Sequence, residues 1–123
     1  MVVTAETETA ALDTRFGPRA ARLFDAVGGT PLLELTRLAE LPPGVALYGK
    51  AEFLNPGGSV KDRPARAMLS DGLANGRLRP GRTILEATSG NTGIADAMLG
   101  RALGFPVTIC LPANASRERL GLL

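Results

Sequence analysis

TILEATSGNTGIADAMLGRALGFPVTICL, residues 83–111, is the stretch that decides the fold. Its two ends, TILEA at 83–87 and VTICL at 107–111, are short apolar runs with the β-branched content of buried strands. Between them, TGIADAMLGRALG at 92–104 sets Ile94, Ala95, Met98, Leu99 and Ala102 on one face at helical spacing. A strand, a helix and a strand joined this closely predict a crossover unit, with parallel strands and the helix packed across them.

Upstream, the pattern repeats. VALYGKAEF at 45–53 has the composition of a strand, and NPGGS at 55–59 that of a loop. The following segment sets Ala65, Met68, Leu69, Gly72 and Leu73 on one helical face as far as about Ala74, before turns at Asn75-Gly76 and Pro80-Gly81. The order strand, helix, strand, helix, strand over 45–111 predicts an α/β fold, a parallel βαβ sandwich with its helix N-termini at one edge. Before it, LLEL at 32–35 is extended, and PRAARLFDAV at 18–27 predicts a helix with Ala20, Leu23, Phe24 and Val27 inward. Residues 1–14 are polar and acidic and read as a flexible leader. At the other end, NASRERLGLL has Ser116 as an N-cap and Glu118 in the first turn. This predicts a helix interrupted in its second turn, with more chain expected after Leu123.

Composition closes off whole classes of function. The 123 residues are 45% hydrophobic, and a chain this size buries roughly two thirds of its unfolded surface, enough for one modest core. No apolar run approaches the ~20 residues a bilayer span needs, and the acidic start MVVTAETETA lacks the basic flank of a secretory signal, so the cytoplasm is expected. The lone Cys110 excludes an intramolecular disulfide and reads as a core residue of its strand. Zero histidines exclude Ser-His-Asp and Cys-His nucleophile pairs and His-ligated zinc, and no metal is expected. Basic residues run from Arg15 to Arg119 without an aromatic cluster, which argues against nucleic acid.

Of the 14 basic residues only Lys50 and Lys61 are lysines, and lysine is the one basic side chain whose amine can be freed for covalent chemistry. Lys50 falls inside a predicted strand. Lys61 lies in NPGGSVKDRP at 55–64, where Pro64 is tolerated in a first helical turn and Asp62 reads as the N-cap. The positive helix end disfavours the ammonium form there, the direction a nucleophile needs. An ordinary solvated lysine on a glycine loop is the other reading. The loop is not a phosphate-binding P-loop, because Lys61 follows Val60 and precedes Asp62. The second loop, TSGNTG at 88–93, brings hydroxyls, a carboxamide and glycines to a helix N-terminus, which suits a carboxylate or phosphate. Its alternative is a well-capped helix with Ser89 or Asn91 as the cap. Together, an amine and an anion cradle at one sheet edge make a candidate site.

NPGGSVKDRPA at 55–65 and EATSGNTGIA at 86–95, in this order and separation, resemble the lysine motif and asparagine loop of the cysteine synthase and cystathionine β-synthase family, which are fold type II pyridoxal-phosphate enzymes. GGTPLLEL at 28–35 and GFPVTICLPANASRERL at 104–120 match the same pattern, so the resemblance covers nearly everything after about residue 20. It implies a tryptophan synthase β-like fold in which Lys61 carries pyridoxal 5'-phosphate. It also implies that Thr88, Ser89, Asn91 and Thr92 grip the α-carboxylate of an amino-acid substrate, with Asn91 touching the cofactor's ring hydroxyl as well. The implied reaction is β-replacement, O-acetylserine plus sulfide giving cysteine plus acetate, by an enzyme that is a homodimer at full length. Within the resemblance, cystathionine β-synthase, threonine synthase and serine/threonine dehydratase remain open, as does a noncatalytic remnant.

Two departures accompany the resemblance. Family members are considerably longer, and the loop that binds the cofactor phosphate, with the residue facing the pyridine nitrogen, lies beyond this sequence. Residues 15–123 are therefore expected to be the N-terminal part of a catalytic region truncated at its C-terminus, inactive alone. Asp96 stands where the family has a small or apolar residue, and is expected to reach solvent or to pair with Arg101 or another cation.

Overall fold

The computed structural model describes residues 2–5, 23–88 and 90–123. In chain order the elements are β1 (Val2–Ala5), β2 (Leu32–Glu34), β3 (Tyr48–Lys50), α1 (Asp62–Ala74), β4 (Ile84–Ala87), α2 (Asn91–Ala102), β5 (Val107–Cys110) and α3 (Arg117–Gly121). The crossover read from residues 83–111 is present: β4 and β5 pair in parallel, Ile84 opposite Val107 and Ala87 opposite Cys110, with α2 between them in sequence.

Helix α2 lies on this sheet through glycine as much as through leucine. Its buried residues are Gly93, Ala95, Asp96, Leu99 and Gly100, whereas Ile94, Met98 and Ala102 are half-buried. A Cβ on Gly100 would stand 2.6 Å from Val107 Cγ2 and 2.7 Å from Ile84 Cδ1, so this close approach depends on the missing side chain. On the outer side of α2, Ala95 and Leu99 join Ala65 and Leu69 of α1 and Val27 in one core cluster. Val107, Ile109 and Leu111 form a second cluster.

The remaining strand expectations change. VALYGKAEF does not supply a third parallel strand: β3 is three residues long and pairs antiparallel with β2, Leu32 opposite Lys50, as a separate two-stranded sheet. The extended run ends because residues 51–55 turn, with the Leu54 N–H donating to the Ala51 carbonyl and the Asn55 N–H to the Glu52 carbonyl. The third strand of the main sheet is β1, antiparallel to β5, in the order β1-β5-β4. Val2–Ala5 thus depart from the leader reading, since Val, Val and Thr are good strand formers once an edge is offered. The rest of the leader, and residues 18–22 of the first predicted helix, fall outside the described residues; residues 23–25 are helical and Val27 is buried.

Burial corrects two further readings. Met68 and Leu73 on α1 are 51% and 41% exposed, because α2 covers only the face with Asp62, Ala65 and Leu69. Cys110 is half-buried, on the side of β5 opposite Val107 and Ile109. Helix α3 follows Ser116 as expected, and Leu120 and Leu123 pack against the second cluster.

Candidate active site

Connectivity directs the lysine loop and the asparagine loop to the same edge of the sheet. Residues 75–83 carry the end of α1 directly to the start of β4, while α2 begins where β4 ends. Both helices therefore run from the carboxyl edge of the sheet toward its amino edge, and their N-termini share the carboxyl edge, where α/β folds bind ligands.

At the start of α1, Lys61 itself occupies the N-cap position, with αR backbone angles, and Asp62 is the first helical residue. This corrects the expected cap. The Asp62 Oδ2 accepts from the Gly57 N–H across the loop. Asp62 is fully buried, with Oδ1 unpartnered, and a Cβ on Gly57 would fall 2.5 Å from that oxygen. Gly57 is what lets the loop close over the acid, and Gly58, at φ +76°, makes the turn. Between them these contacts leave Lys61 exposed, and no hydrogen bond to its Nζ occurs among the described residues. Lys50, by contrast, donates its Nζ to the Thr30 carbonyl.

In the second loop Thr88 and Thr92 are half-buried and Asn91 is exposed; Ser89 lies outside the described residues. The N-cap is Gly90, with no side-chain cap, and Asn91 is the first helical residue, so Asn91 does not have the capping role. Helix α1 likewise starts without a side-chain cap. At the start of α1 the N–H groups of Lys61, Asp62 and Arg63 already donate to Ser59 Oγ, the Ser59 carbonyl and the Val60 carbonyl, so it is the start of α2 whose first N–H groups and positive dipole end suit an anion. Gly93 seats the first turn of α2 against Thr88, whose Cγ2 would be 2.8 Å from a Cβ there.

A further group about the lysine loop escaped the sequence reading. Arg63 forks onto Glu52, Nε to Oε2 and Nη2 to Oε1, both at 2.8 Å. Arg63, followed by Asn55 and Thr30, holds the Glu52 carboxyl well below the usual range, from 4.5 to about 2, against the opposing effect of burial. The same pairing raises Arg63. No periodicity marks two charges eleven residues apart across a loop, though a Glu and an Arg flanking a glycine-rich segment could have prompted the question.

Asp96 is 3% exposed, and among the described residues no cation pairs with it. Arg101 lines the cavity of about 670 Å³ bounded by Pro56, Ile94, Ala97 and Leu123, whereas Asp96 lines a separate one with Glu86 and Arg82. Burial first, then repulsion from Glu86, raises the Asp96 carboxyl to about 6. The 670 Å³ cavity is mainly apolar, and neither Lys61 nor Asn91 lines it.

The start of α1 carries an amine without a hydrogen-bond partner among the described residues, and the start of α2 carries amide and hydroxyl groups, which is the chemistry an aldehyde cofactor and an amino-acid carboxylate call for. Comparison with known proteins supplies the family. The pyridoxal-phosphate dependent enzyme family matches residues 23–123. A cysteine synthase of Aquifex aeolicus is 50% identical over 99 residues, 79% of this chain and 30% of that protein. The O-acetylserine dependent cystathionine beta-synthase of Bacillus subtilis is 45% identical over 97 residues, 79% of this chain and 31% of that protein. Among solved structures, O-acetylserine sulfhydrylase isoform 3 of Entamoeba histolytica superposes with a TM-score of 0.77 at 35% identity, over 98% of this chain and 35% of that one. The chain belongs to the pyridoxal-phosphate dependent enzymes, within the fold type II group. It spans between a fifth and a third of the length of the curated relatives it matches.

Proposed function

We propose that residues 15–123 are the N-terminal part of the catalytic region of a cysteine synthase-like enzyme, one that exchanges the acetate of O-acetylserine for sulfide. The observation that carries the reading is the contrast between the two lysines: Lys50 is committed to the Thr30 carbonyl, and Lys61 offers its amine at the edge where both helices begin. In this reading Lys61 attaches pyridoxal phosphate, which when bound supplies the electron sink for the substrate's α-carbon. With an amino acid bound, the Lys61 Nζ would be the base that takes the α-proton. Thr88, Ser89, Asn91 and Thr92, with the N–H groups at the start of α2, hold and orient the α-carboxylate, and Asn91 also faces the cofactor's ring hydroxyl. Acetate would leave from the β-carbon, sulfide would take its place, and the protonated Lys61 Nζ would return a proton to the α-carbon. The reading includes a cytoplasmic homodimer at full length, and inactivity of the 123 residues alone. No helix among the described residues is long and apolar enough to cross a membrane.

The test joins residues 1–123 to the remaining part of the Aquifex relative. That chimera should release acetate from O-acetylserine in a sulfide-dependent reaction, losing it in Lys61→Ala and keeping it in Lys50→Ala. Charge-assisted hydrogen bonds contribute ~1.5–3 kcal/mol each, so Asn91→Ala should raise the half-saturating O-acetylserine concentration about ten- to a hundredfold. Unchanged turnover in Lys61→Ala would refute the reading. The Bacillus subtilis relative supports a second one, cystathionine formation, and a larger thiol outpacing sulfide as acceptor would favour it.

A further inference from the structure

Four hydrogen bonds converge on the Glu52 carboxylate. Oε1 accepts from Thr30 Oγ1 at 3.0 Å and from Arg63 Nη2 at 2.8 Å, and Oε2 accepts from Asn55 Nδ2 and Arg63 Nε, both at 2.8 Å. These donors have particular places in the chain. Asn55 opens the lysine loop and Arg63 follows it on the first turn of α1, so Lys61 is carried between two residues that share one acid. Asn55 also accepts from the Gly28 N–H at 2.9 Å, and Arg63 Nη2 donates to Thr30 Oγ1 at 3.1 Å. One carboxylate therefore ties both ends of the loop to each other and to the turn at 28–30.

An isolated exposed ion pair contributes little to stability. A bidentate fork whose acid has its other acceptor sites filled acts differently, because each added partner restricts the orientation of the rest. The loop between the two arms contains Gly57 and Gly58 and is long enough to adopt many shapes without them. The buried Asp62 braces its inner side through Gly57, but no bond from Asp62 reaches Asn55 or the 28–30 turn. We propose that Glu52 is the positioning residue of the Lys61 loop, with Asn55 and Arg63 as its two arms. The inference rests on Lys61 being the cofactor-bearing lysine.

The 123-residue chain is treated with pyridoxal phosphate and borohydride, and label on Lys61 is compared by peptide mass with label on the chain's α-amine. Glu52→Ala and Arg63→Lys should each lower that ratio about fivefold. Glu52→Gln, which keeps a carbonyl acceptor for Thr30 and Arg63, should recover part of it. Amide exchange in α2 and β5 should stay as in the wild type, whereas a general loss of stability would speed exchange there too. If Glu52→Ala does not fold, Arg63→Lys decides by the same ratio. A folded Glu52→Ala or Arg63→Lys chain with the wild-type ratio overturns the positioning role. No preference for Lys61 in the wild type would overturn the assignment of Lys61 itself, and this inference with it.

Discussion

Asp96 and Glu52 show two acids of one small chain titrating in opposite directions. Burial and the neighbouring Glu86 raise Asp96 from 3.8 to about 6, so the folded chain binds that proton more tightly than the unfolded one. The stability this contributes is complete below about pH 4 and is lost as pH rises through 6. Asp96→Asn removes the ionising group, and urea titrations should find it roughly 1–3 kcal/mol more stable than wild type at pH 8, the difference closing below pH 4. A difference independent of pH would mean that Asp96 does not titrate in this window. Glu52 behaves the other way: Arg63 and the other donors hold it at about 2, so its contribution is present above about pH 4.5 and is lost as pH falls from there toward 2.

Helix α2 and the strands beneath it were legible in the sequence because period and length agreed there: an apolar strand, a glycine-bounded loop, a helix and another strand, with no competing pattern. Its buried face was less so, since hydrophobic spacing points to Ile94 and Met98 while the close contact with the sheet runs through Gly93 and Gly100, which have no side chain to register in such a pattern. Gly93→Ala should therefore cost about 1–3 kcal/mol by forcing the Thr88 methyl away, and should lower the melting temperature of the chain. A melting temperature equal to wild type would mean that the first turn of α2 has slack. The β3 segment was misread for a different reason. Its β-branched and aromatic content is real, but composition does not say which neighbour a strand takes, and β2 lay nearer in sequence than the parallel sheet. Candidate site residues Lys61, Thr88, Asn91 and Thr92 were legible as loop residues at helix starts. The Glu52–Arg63 clamp was not, because it is a contact across the loop that no local pattern encodes.

Across the whole molecule, a small core coexists with a large exposed apolar surface. Leu32, Leu38, Phe53, Leu85 and Leu122 are all at least 61% exposed, and Leu85 lies on β4, which ends the sheet order β1-β5-β4. An edge strand with an outward leucine favours strand pairing between molecules. Sedimentation of the 123-residue chain should reveal concentration-dependent association, reduced in Leu85→Lys; an equally associated variant would place the contact elsewhere. The same 123 residues should not retain pyridoxal phosphate through dialysis, since lasting attachment also needs groups that grip its phosphate and ring nitrogen. A transient imine can still be caught, and catching it tests the central claim, that Lys61 is the residue built to carry the cofactor. Borohydride reduction of the chain in the presence of pyridoxal phosphate, followed by peptide mapping, should place the label on Lys61 in preference to Lys50 and the α-amine. Label on Lys50, or spread evenly over all three amines, would contradict it.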